Sequence, residues 1–187
     1  MLTAYLHGLQ NEGKLPQNLR FKTYCGAAPK PGNLYFAYEY EALTQNGWAY
    51  NLVNAADWVP QTPFSVQTVS DFAPVNPFLN ADVIIKKQKW PKRWAIKHAY
   101  KKLTKPGNKA KKAYQKYLGD YVSKSVKKAL PGFKAPTYFN SSEYVRTGNT
   151  ITLLPKEEYY QQFPQDRSKT FIHHFHTAYL YLLERMY

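Results

Sequence analysis

Residues 108–130 read NKAKKAYQKYLGDYVSKSVKKAL, and this stretch decides the fold class. Ala110, Ala113/Tyr114, Tyr117/Leu118, Tyr121/Val122, Val126 and Ala129/Leu130 recur at three- and four-residue intervals, which places them on one face of an α-helix. Lys109, Lys111, Lys112, Lys116, Lys124, Lys127 and Lys128 fall largely on the other side. Asn108 suits an N-cap, because its side chain can accept from an unsatisfied backbone N–H, and Pro131-Gly132 supplies the stop. At about 1.5 Å per residue, such a helix is a rod of roughly 35 Å. Just upstream, Pro91 suits a first helical turn, and Ile96, Ala99, Tyr100 and Leu103 repeat the same spacing with Lys97, Lys101 and Lys102 outside the stripe. Lys105-Pro106-Gly107 predicts a break between the two helices.

Working outward, residues 34–53 read LYFAYEYEALTQNGWAYNLV. The aromatic run ends in an approximate two-residue alternation, and Asn46-Gly47 separates it from a second strand-like run, Trp48–Val53. Both turn residues tolerate positive φ, so the segment predicts a β-hairpin. Pro60, Pro63, Pro74 and Pro77 predict extended chain with a short strand at 64–69. The first 33 residues read as an extended arm carrying a short helix near Leu2–Gln10. Beyond Gly148, a short strand is expected at 150–154 and a short helix from Pro155 to Gln162. A helix is expected over 168–186, with Phe171/Ile172, Phe175, Ala178/Tyr179, Leu182/Leu183 and Met186 as its apolar stripe. The expected architecture is α+β: a small core of a β-hairpin packed with helices, plus extended Pro-rich arms. The segments 1–33, 34–85, 86–130 and 131–187 form one domain overall.

Composition sets the outer limits. The chain has 187 residues, 44% of them hydrophobic and 17% aromatic, too apolar for a disordered polyelectrolyte. No apolar run approaches the roughly 18 residues that span a bilayer. Met1–His7 has the pattern of neither a secretory signal nor a transit peptide, so no targeting segment is expected there. The single cysteine, Cys25, makes no internal disulfide, and nothing in the sequence pairs it with a base.

The formal charge of +14 is concentrated in one place. Residues 1–85 hold four basic and six acidic groups, and residues 129–187 hold six and five. Residues 86–128 hold fifteen Lys and one Arg against Asp120 alone. So much repulsion in one block points to an anionic partner. The candidate anion-binding residues are Lys86, Lys87, Lys89, Lys92, Arg93, Lys97 and Lys101, together with the seven lysines of 109–128 named above. Trp90 and Trp94 are candidate interface aromatics. Lysine's flexible point charge suits phosphate backbone, whereas bidentate base reading uses arginine's fork. Nucleic acid, RNA before DNA and not sequence-specific, is therefore the expected partner. Anionic lipid and acidic protein are the alternatives, and the plain reading is a solvated helix face.

His173, His174 and His176 are weak candidates for a metal site. His174 and His176 resemble the paired histidine ligands of HUH-type nickases, in which a tyrosine is the nucleophile, but the surrounding periodicity is helical and two ligands do not close a site. Glu39 and Glu41 share a face of the expected hairpin, as its exposed side. No P-loop, Gly-x-Gly-x-x-Gly or Gly-x-Ser-x-Gly motif occurs. No catalytic residue and no cofactor is expected. The reading is a non-enzymatic structural subunit of a large intracellular assembly, a ribosome-like ribonucleoprotein with an organellar (mitochondrial) setting as one option, whose 17 tyrosines and four tryptophans dock on other subunits. The alternative is an accessory subunit of a membrane-associated complex or a virion protein. The less favoured reading is a His/Tyr metal-dependent nickase.

Overall fold

A computed structural model describes residues 1–137 and 139–186. The fold is mixed α+β. In chain order its elements are α1 (Leu2–Asn11), β1 (Thr23–Gly26), β2 (Gly32–Asn33), α2 (Leu34–Leu43), β3 (Ala49–Asn54), α3 (Ala81–Lys86), α4 (Lys92–Tyr114), α5 (Tyr121–Ala129), β4 (Tyr144–Val145), β5 (Asn149–Leu153), α6 (Glu157–Gln162) and α7 (His176–Leu183). They divide into two compact units, 1–64 with 144–187, and 65–143.

The first unit is built on a parallel sheet ordered β1-β3-β5, beside a two-residue antiparallel pair, β2 and β4. The expected hairpin is not formed. Its first half, Leu34–Leu43, is helix α2, which turns β1-to-β3 into a crossover between parallel strands. Asn33 Oδ1 accepts from Phe36 N–H at 3.0 Å and starts the helix. Ala37 and Tyr40, three residues apart, are buried, and Phe36 stacks on Tyr40 one turn later. The turn itself is as expected, with Asn46 and Gly47 at φ +60° and +80°. It joins a helix to a strand. In the N-terminal arm, α1 is the short helix expected near Leu2–Gln10, and the departure from an extended arm is β1, which joins the sheet; the buried Gln10 amide donates to the carbonyls of Pro16 and Leu19 to fix the intervening loop.

Strand β5 buries Leu153, against which Tyr159 and Phe163 of the α6 region and Ala178, Tyr179 and Leu182 of α7 pack, with Leu52 of central strand β3 alongside. The C-terminal helix is shorter than expected, because residues 168–175 form turns. Trp58 Nε1–H donates to the Thr170 carbonyl at 2.7 Å, and Asn54 Nδ2–H donates to the His173 carbonyl at 3.1 Å. Two acceptors that a helix ladder would use are thereby taken by side chains from the end of β3.

In the second unit, α4 runs through Pro106 without a break, contrary to the sequence expectation, and passes through a π-helical turn (Gln115–Asp120) directly into α5. Proline costs the helix a donor. The packing of this stretch compensates: Tyr100 O–H donates to the Phe78 carbonyl at 2.8 Å, and Gly107 lies against the segment 66–68. Val66 makes a single antiparallel bridge to Ser142, where a short strand was expected.

Candidate active site

Asp57 lies three residues beyond β3, at the C-terminal end of a parallel strand, the position where open parallel sheets bind ligands. Its side chain is fully buried, yet both oxygens are satisfied. Oδ1 accepts from Val59 N–H at 2.9 Å. Oδ2 lies 2.9 Å from His174 Nδ1 and also accepts from the Tyr179 hydroxyl at 2.9 Å. A carboxylate only accepts, so Nδ1 of His174 carries a proton, which in the neutral imidazole leaves the lone pair on Nε2. The His174 side chain is 30% exposed. The result is a partly exposed imidazole whose orientation is set by a buried acid.

Three separate segments build this pair. β3 delivers Asp57, and the turn after Asp166 delivers His174. Asp166 caps that turn by accepting from Ser168 N–H and Oγ–H, and these bonds hold its carboxyl below the ordinary range. Tyr179 comes from α7, where burial pushes its phenol well above the ordinary range and Asp57 reinforces the shift, so it stays a donor. A neighbouring network fixes the floor. Buried Asn54 donates from Nδ2 to the Tyr159 hydroxyl at 2.9 Å, and the hydroxyl lies 2.8 Å from His173 Nδ1. Burial raises the Tyr159 phenol and lowers His173, whose charged form Asp57 favours to a smaller degree. On the open side, Trp58 and Phe171 rings lie 5.3 Å apart, with Phe171 6.0 Å from the His174 ring.

The histidine cluster is thus split among three environments. His173 faces Tyr159, His174 faces Asp57, and His176 is exposed at the start of α7. Among the described residues no group of three His, Cys, Asp or Glu could hold a metal ion. Among the described residues, too, no hydroxyl or thiol hydrogen-bonds His174 Nε2. Glu39 and Glu41 are exposed on α2 rather than on a hairpin.

The basic candidates lie in the second unit. Lys86, Lys87, Lys89, Lys92, Arg93, Lys97, Lys101, Lys109, Lys112, Lys116, Lys124, Lys127 and Lys128 are exposed, as are Trp90 and Trp94. Trp94 stacks on His98, one turn along α4. Lys111 departs from the expectation. It is buried, and its ammonium donates to Ser70 Oγ at 2.7 Å and Thr68 Oγ1 at 3.3 Å, so it serves the packing of this unit. Tyr117 and Tyr121, on the apolar stripe of the predicted helix, stack on each other in the open.

Sequence reasoning missed Asp57. The available signal was an acid placed just after a strand-like run, with a histidine pair far downstream. No helix is long and apolar enough to cross a membrane among the described residues. Comparison with protein-family models, with curated proteins and with solved structures returned no match.

Proposed function

We propose that Asp57 and His174 are the acid–base half of a hydrolytic active site. His174 Nε2 removes the proton from an attacking hydroxyl or water and returns it to the leaving group. Asp57 holds the imidazole in the working tautomer and balances the positive charge it acquires. The observation that carries this reading is the 2.9 Å contact from a fully buried carboxylate, held by two further donors, to Nδ1 of a histidine whose side chain is 30% exposed. The order along the chain, acid before base, is also that of α/β hydrolases, an analogy that extends to these two residues alone. The reaction class is hydrolysis of an ester or amide.

The test is hydrolysis of an activated ester by the full chain, alongside His174→Ala and His176→Ala. Loss of about a thousandfold or more in kcat for the first, with the second near wild type, is the expected outcome. Equal rates in all three proteins would refute the proposal.

A second reading concerns the other unit alone. The exposed lysines of the uninterrupted helix from Lys92 to Ala129 support a surface that binds polyphosphate. The ribonucleoprotein subunit expected from the sequence is one form of this reading, with RNA backbone as the polymer and an intracellular assembly as the setting.

A further inference from the structure

We propose that the helix from Lys92 to Ala129 binds an anionic lipid bilayer, lying in the headgroup plane. The proposal rests on the polyphosphate-binding reading and names its partner. An amphipathic helix of a folded protein ordinarily turns its apolar stripe to the core. This one does not. Leu103 is 80% exposed, and Tyr117, Leu118, Tyr121 and Val122 are all more than 40% exposed. Helix α5 buries no residue at all. The contacts that hold α4 to its own unit are made by Tyr100, Gly107 and Lys111, and they leave Leu103 uncovered. Leu103, Tyr117, Leu118, Tyr121 and Val122 are therefore the part of the stripe that stays exposed after the unit has packed.

Charge selects what covers it. Lysines line the borders of the stripe, and Asp120 is the one acid between Lys86 and Lys128. Lys116 Nζ lies 5.3 Å from the Tyr117 ring and Lys124 Nζ 5.6 Å from the Tyr121 ring, so the ammonium groups sit beside the apolar surface rather than opposite it. A phosphate polymer would neutralise the lysines and leave the aliphatic groups in water. An anionic bilayer takes both: acyl chains receive Leu103, Leu118 and Val122, while lysine stems reach up to the phosphodiesters. Since no described helix can cross a membrane, the geometry is that of a helix on the surface. At about 1.5 Å per residue the helix is roughly 55 Å long, enough to engage many headgroups at once.

The experiment is co-flotation of the full chain with phosphatidylcholine vesicles containing about one-third phosphatidylglycerol, with pure phosphatidylcholine vesicles, and a parallel titration with single-stranded RNA. Binding to the anionic vesicles at least about tenfold tighter than to the neutral ones is expected. Leu103→Asn with Val122→Asn should weaken vesicle binding at least about tenfold and leave RNA binding within about twofold. Reversal of Lys109, Lys112, Lys116 and Lys127 to Glu should abolish both. RNA binding with no preference for anionic vesicles would overturn the lipid proposal and leave the polyphosphate reading standing. Failure to bind either partner would overturn both. The wild-type comparison needs no variant, so it decides the matter even if the double substitution lowers helix content.

Discussion

Asp57→Asn is the substitution that most directly tests the acid–base pair, because it keeps the shape and changes the donors. The native carboxylate accepts three hydrogen bonds, from Val59 N–H, His174 Nδ1–H and Tyr179 O–H. An asparagine has one acceptor oxygen for these three donors. If its oxygen stays on Val59, its NH2 faces His174 and Tyr179. His174 must then move its proton to Nε2, and the Tyr179 hydroxyl must turn to accept. If the amide flips, the NH2 opposes Val59 N–H at a fully buried position. Either arrangement costs about 1–3 kcal/mol, the range for a buried hydrogen-bonding group deprived of its partner. The first also removes the lone pair from the outward nitrogen, for which the expected loss of kcat is about 10⁴-fold. Ester hydrolysis measures the rate, urea denaturation the stability, and nitrogen-15 NMR of the imidazole the tautomer. Retention of the Nδ1–H tautomer together with a rate within about tenfold of wild type would refute the reasoning. The NMR measurement tests the hydrogen bond independently of any substrate.

Two further outcomes are expected. Burial holds His173 below its ordinary value of 6.5, so the unfolded chain takes up this proton first as pH falls. Its contribution is therefore complete above 6.5 and is lost as pH drops from there through the lowered folded value. Urea midpoints between about pH 8 and about pH 5 should decline more steeply for wild type than for His173→Gln, and parallel profiles would contradict the assignment. Pro106→Ala should restore a missing donor inside a helix that is already continuous, raising the stability of that unit by up to about 3 kcal/mol with little change in far-ultraviolet helix signal. A marked gain in helix signal would mean that the chain is broken at Lys105–Gly107 after all.

The long lysine helix, the strand Ala49–Asn54, the strand Asn149–Leu153 and the helix Glu157–Gln162 were legible because each rests on its own local pattern. The errors share a different cause. In Leu34–Leu43, aromatics at 35, 36, 38 and 40 imitate alternation, and the decisive features were the Asn33 cap and the one-turn pairing of Phe36 with Tyr40. The C-terminal helix was overextended because periodicity carries no information about Trp58 and Asn54 taking the carbonyls of Thr170 and His173 from across the unit. Proline at 106 was weighed by its intrinsic penalty alone, without the packing of Tyr100 and Gly107 around it.

The site was illegible for the same reason, with more at stake. Asp57 and His174 are 117 positions apart, and only the parallel pairing of β3 with β5 puts the loop after one strand near the chain that follows the other. From the sequence, His174 looked like a member of a His cluster. From the structure, its distant carboxylate partner matters and its neighbours point elsewhere. Stability alone is a poor reason for that carboxylate. A charge taken wholly out of water has to be met by several donors, and apolar side chains of similar volume often fill such a place at no loss. Here three segments converge to supply those donors, and one of them is a partly exposed histidine. On the proposed acid–base role, the buried charge serves to orient that imidazole.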